Sequence, residues 1–178
     1  SQLLPSDFAF DHSIPHLKIR TTDDEGSAVK SVKTSASVRD VPLHPNLLIL
    51  GLREFVEGRA KYNPKGRVFQ EFRLGTKGRK SEGATRFGGD FLKKAGVWKE
   101  GRSTHVWRHT VTEFLRLNGL SDENIGALIG HSARTMTASY GNKQHPLPRK
   151  KSTLDKLDFG FDVVGCLGGP YDPKRHRA

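Results

Sequence analysis

The chain has 178 residues, enough for one domain with a real core, and its 30 Lys+Arg against 19 Asp+Glu leave a net charge of +11. Such an excess points to a polyanionic partner, nucleic acid or an anionic membrane surface. No apolar run approaches the roughly 20 residues of a membrane span, and no signal-type stretch opens the chain, so an intracellular, cytoplasmic protein is expected. The single cysteine, Cys166, excludes an internal disulfide, and the eight histidines are scattered without ligand spacing, so no metal and no other cofactor is expected.

In chain order, residues 1–8 (SQLLPSDF) begin abruptly within what reads as a folded region. Residues 14–21 (IPHLKIRT) alternate and predict a strand; 22–28 (TDDEGSA) form a polar turn. The second half of 31–43 (SVKTSASVRDVPL) predicts an edge strand, because Pro42 fits only where no ladder donor is required. Residues 45–62 predict one helix, opened by Pro45, with an apolar stripe of Leu48, Leu52, Phe55 and Val56. After a short link at 67–72, residues 73–83 (RLGTKGRKSEG) hold too much glycine and charge to order by their own packing. Their Lys77, Arg79 and Lys80 read equally as a track for a DNA backbone or as a solvated loop. Residues 84–95 predict a helix weakened by Gly88 and Gly89. Trp98 and Trp107 are expected to pack.

The stretch 104–142 is the most informative. A helix there puts His105 and Arg108 on one face, about one turn apart, with Val111, Phe114, Leu115 and Leu117 largely on other sides. Ser121 predicts the N-cap of a second amphipathic helix carrying Ile125, Leu128 and Ile129. Gly130 suits the left-handed turn that ends it. His131 follows at once, and Tyr140 stands nine residues further on. Beyond, 143–178 is rich in Pro, Lys and Gly, with a helix expected around 151–157 and an apolar strand or docking segment at 159–167.

The run His105-Val-Trp-Arg108-His109-Thr110, then Leu128-Ile129-Gly130-His131-Ser132, then Tyr140, resembles the signature of the tyrosine recombinases, the phage-integrase family. That signature is H-x-x-R-H-T, a helix, L-G-H-S, and a tyrosine nine residues past the histidine. Residues 33–43 resemble the family's hairpin motif K-T-x-x-S-x-R-x-V-P-L, which places Lys33 in the lysine's position, with Lys30 the choice if the register shifts. Read alone, that segment is a basic surface hairpin. Residues 1–8 resemble a family segment, roughly L-x-x-S-D-I, that enters the first strand of a small sheet.

The resemblance implies a mixed α/β fold, mostly α-helical, with a small antiparallel sheet at one edge carrying Lys33. Residues 1–142 would be the catalytic domain, and 143–178 a partly flexible tail for docking on a neighbouring protomer. The implied activity is site-specific cleavage and rejoining of double-stranded DNA through a 3′-phosphotyrosyl bond, without metal or nucleotide, by a self-associating protein that is tetrameric on DNA. Tyr140 would be the nucleophile and His105 its base. Arg108 and His131 would hold the phosphate, and Lys33 would protonate the departing 5′-oxygen. Lys77, Arg79, Lys80 and Arg134 would contact DNA, His109 would be a buried support, and Thr110 would bond the helix backbone. A bacterial or phage-encoded, DNA-associated protein is implied. The family's first arginine, in a G-x-R-x-x-E helix, would fall before Ser1, so the chain is expected to be a piece of a longer protein, its catalytic domain lacking the first helices and that arginine and impaired in cleavage on its own. Arg20 and Arg39 are the arginines at hand to replace it. Two alternatives remain open: a type IB topoisomerase-like enzyme, and a non-catalytic DNA-binding module on a recombinase fold.

Overall fold

Three short strands make one antiparallel sheet in chain order: β1 Phe8–Ala9, β2 His16–Ile19 and β3 Arg39–Pro42. The structure, a computed structural model, describes residues 2–22, 26, 30, 37–72, 82–100, 105–130, 145–158 and 160–172. The register sets Phe8 opposite Leu17, Lys18 opposite Asp40 and His16 opposite Pro42. β3 is an edge strand, and Pro42 closes it where no donor is needed. The strand expected over 14–21 is realised only at its centre, His16–Ile19, just after Pro15, which cannot donate.

Ahead of β1, Pro5–Asp7 forms a single 3-10 turn. Its Asp7 carboxylate accepts from the Leu4 N–H at 2.8 Å and from Lys30 Nζ at 2.5 Å. The Lys30 and Asp7 side chains are only 6% and 5% exposed, so each charge depends on the other for what water no longer supplies.

The single helix expected over 45–62 is two helices, α1 Pro45–Ile49 and α2 Leu52–Tyr62. They part at Gly51, whose φ of 86° lies in the left-handed region. Tyr171 explains the break. A Cβ on residue 51 would lie 2.2 Å from the Tyr171 ring, and the Tyr171 N–H donates to Ile49 O at 3.0 Å. Val68, in the following link, is fully buried and donates its N–H to Leu3 O at 2.9 Å.

α3 Glu82–Lys94 forms despite its glycines, but buries only Leu92 and leaves Phe87 and Phe91 exposed. Trp98 and Trp107, expected to pack, are both exposed, and Trp98 lies beneath the Lys93 ammonium. The main core lies between α4 His105–Leu117, α5 Asp122–Ile129 and α6 Leu147–Leu154, with β3 against α6. Leu115, Ile125, Leu128 and Leu154 are buried there, with Val41, Val111, Leu120, Ile129 and Leu157 around them. α6 starts earlier than its sequence suggests, because Pro146 and Pro148 suit an opening turn in which their missing donors are not needed. The 159–167 stretch holds no strand in its described part. It makes one helical turn, α7 Val163–Cys166, capped by Asp162 and set against α1.

The fold is therefore mostly helical with a small three-stranded antiparallel sheet. Among the described residues no helix is long and apolar enough to cross a membrane, and no group of metal-binding side chains gathers.

Candidate functional site

α4 opens with His105 and carries Arg108 one turn later, so both belong to the first turn and a half of one helix. His105 is exposed and Arg108 half-buried. His109, expected to be a buried support, is exposed instead: the step of about 100° from Arg108 takes it to the solvent side. Thr110 does bond the helix backbone, donating to Val106 O at 3.0 Å. Lys33, Lys77, Arg79, Lys80, His131, Arg134 and Tyr140 lie outside the described residues.

α5 delivers the chain to this site. The Ser121 hydroxyl caps its start, accepting from the Asn124 N–H at 3.4 Å, and Gly130 ends it at φ 77° and ψ 41°. A helix end leaves its last carbonyls without partners and carries a partial negative charge. Arg39 of β3 meets both needs. Its Nε donates to Leu128 O at 3.1 Å and its Nη2 to Ile129 O at 3.1 Å, while Nη1 returns to Ser37 O at 2.9 Å. Burial pushes the Arg39 pKa down from the ordinary arginine value, and the like charge of Arg108 adds to the effect. Arg108 on α4, Arg39 on β3 and the end of α5 thus share one electrostatic neighbourhood.

β3 is also gripped from the other side. Lys150 of α6 is buried, and its Nζ donates to Asp40 O at 3.0 Å. Burial holds its pKa below the ordinary lysine value; Asp40 opposes that shift, and Arg39 and Arg20 reinforce it. The Asp40 carboxylate is itself taken by Arg20 Nη2 at 2.5 Å. The α5 end and the α6 start therefore both tie to neighbouring residues of one strand. These are the two helices that bracket residues 131–144 in the sequence.

The same contacts bear on three cations named from the sequence. Lys30 is committed to Asp7 within the sheet side of the molecule. Arg20 is engaged by Asp40 and Ile19 O, and Arg39 by three carbonyls. Sequence reading missed the structural parts of Arg39 and Lys150. A signal existed for Lys150, which shares a helical face with Leu147 and Leu154, at positions i, i+3 and i+7. For the contacts of Arg39 with Leu128 O and Ile129 O no local signal exists, because these partners are supplied by a distant helix.

Chemically, α4 presents a guanidinium and an imidazole within one helix turn and packs on α5, whose end is held by a second guanidinium, with no carboxylate paired to Arg108 among the described residues. That composition suits an oxyanion. No protein-family model matches this chain, and no curated protein or solved structure matches it either.

Proposed function

We propose that this chain is the catalytic part of a site-specific DNA recombinase of the tyrosine type. The observation that carries the reading is that Arg108 follows His105 by one turn on α4, and that α4 packs on α5, whose end at Gly130 stands immediately before His131 in the sequence.

In this reading the Tyr140 oxygen attacks a backbone phosphorus. The Tyr140 O–P bond forms, the bond from phosphorus to the 5′-oxygen breaks, and the 3′-phosphotyrosyl ester retains the phosphodiester for rejoining. A phenol has a pKa of about 10, so it must shed its proton as it attacks. His105 takes that proton, and Lys33 gives one to the departing 5′-oxygen, which is a poor leaving group as an alkoxide. Arg108 and His131 donate to the non-bridging oxygens, whose charge grows in the transition state. Duplex DNA is the substrate, and the +11 charge supports a largely backbone-driven grip on it.

The test uses a duplex selected from a randomised pool for retention on the protein, nicked beside candidate scissile positions so that cleavage traps the adduct. The full-length wild-type protein should yield a denaturant-stable protein–DNA band, and its Tyr140→Phe variant should bind equally but yield none. An adduct of wild-type yield from Tyr140→Phe would remove the tyrosine from the mechanism. One observation favours a second reading, a DNA-binding module without cleavage. Arg20 and Arg39 are both engaged elsewhere, so neither supplies the family's other phosphate-gripping arginine. Retention of the duplex by wild type with no adduct would select that reading.

A further inference from the structure

We propose that Arg39 is a positioning residue of this site: it locks β3 to the end of α5 and so sets where the chain leaves Gly130 relative to Arg108. The inference rests on the functional reading above for its kinetic consequence, but its geometry stands apart from that reading. A half-buried cation is commonly matched by a carboxylate. Among the described residues Arg39 has no such partner, and its guanidinium is spent on the carbonyls of Ser37, Leu128 and Ile129. Three carbonyls from two elements fix the plane of the guanidinium as well as its charge. An arginine is needed for this, because its rigid fork meets two successive carbonyls where a lysine has a single nitrogen.

Gly130 is the other half of the contact. A Cβ there would lie 2.4 Å from Arg39 Nη1 and 2.6 Å from Cζ, so the guanidinium has its seat only while residue 130 lacks a side chain. The φ of 77° favours glycine independently. The strand end that follows Lys33 in the sequence is thus tied to the helix end that precedes His131, across 89 and 90 residues of chain. The like charge of Arg108, felt at Arg39, agrees with the placement of α4 beside this junction. Arg39 would touch no reacting atom; it would act by holding two pieces of backbone in one relation.

The experiment compares wild type, Arg39→Met, Arg39→Lys, Gly130→Ala and the Arg39→Met/Gly130→Ala double variant. The first readout is the adduct-forming rate at saturating nicked duplex, taken beside duplex affinity and melting temperature. Displacing reacting groups by about an ångström can cost roughly 10²-fold in rate. Arg39→Met should lose rate on that order while affinity and melting temperature change little. Arg39→Lys should fall between it and wild type. Gly130→Ala should reproduce the defect with Arg39 present, and the double variant should be no worse than the worse single one, because both break the same contact. In Arg39→Met, rate and affinity falling together with stability would overturn the proposal, as would rate losses that multiply in the double variant.

The second readout needs no cleavage. The Nε–Hε NMR signal of Arg108 is followed during titration with inorganic phosphate, and it should shift and respond more weakly in Arg39→Met. An Arg108 signal and phosphate response identical to wild type would sink the idea. If Arg39→Met does not fold, Arg39→Lys, which keeps the charge but loses the fork, decides in the same way. If wild type forms no adduct, the recombinase reading falls and the phosphate titration alone decides the role of Arg39.

Discussion

α3 and α4 are each 13 residues long and both amphipathic, yet they end in different circumstances. α4 buries Leu115 completely among Ile125, Leu128 and Leu154, while α3 buries Leu92 and leaves two phenylalanines in water. Periodicity makes both of them helices. What makes α4 part of a core is the material brought to it from elsewhere: α5, then α6, with β3 fastened to both helix ends. The contrast teaches that the candidate site sits where distant segments are tied together, and not where a single helix is most regular.

The largest expected effect tests whether a polar tie between distant residues can matter as much as the apolar core. Lys30→Met leaves the Asp7 carboxylate buried without its cation, and breaking such a pair from one side costs about 3–5 kcal/mol. Urea unfolding of the variant checks this, and a loss no larger than that of a surface substitution would show that water replaces Lys30. Next comes the direct comparison of the two helices. Leu115→Ala should cost about 2–5 kcal/mol, whereas Phe87→Ala should fall within about 0.5 kcal/mol of wild type. Equal losses in the same urea experiment would erase the distinction between α4 and α3.

The smallest effect is a pH dependence. Burial lowers the Lys150 pKa, so the folded state releases that proton more readily than the unfolded state. Between the lowered value and the ordinary lysine value the unfolded chain holds more protons, and the stability contribution of Lys150 rises with pH across that alkaline window. Below the window both states are protonated and the folded one bears the desolvation in full. Lys150→Met should therefore flatten the alkaline limb of a plot of melting temperature against pH. A limb of unchanged slope would assign the dependence to other groups.

What was legible in the sequence is what neighbours in the chain decide. The Ser121 cap, the left-handed Gly130, the Thr110 back-bond and the shared helix of His105 and Arg108 all depend on residues within a turn or two. β2 was legible through alternation and the edge position of β3 through Pro42, while their pairing into a small antiparallel sheet was implied by the family resemblance. The break at Gly51 was not, because a glycine inside an amphipathic pattern reads as tolerated until Tyr171 arrives to occupy the place of its side chain. His109 and the two tryptophans were misplaced for a related reason: residue type favours burial, but the packing surfaces that would bury them lie elsewhere. The middle lysine of Arg149-Lys150-Lys151 looks like its neighbours in a charge run, and only the helix face it occupies sets it apart.

The bonds that converge on β3 join residues 89, 90 and 110 positions apart. Chain growth runs in one direction, so during translation the strand emerges with the Arg39 donors and the Asp40 carbonyl facing water. At about 5–20 residues per second they wait on the order of ten seconds for α5 and α6 to follow. Loop closure over such spans is slow and rewarded only at the end. The junction between β3 and the end of α5 is therefore among the last parts of the molecule to come into existence.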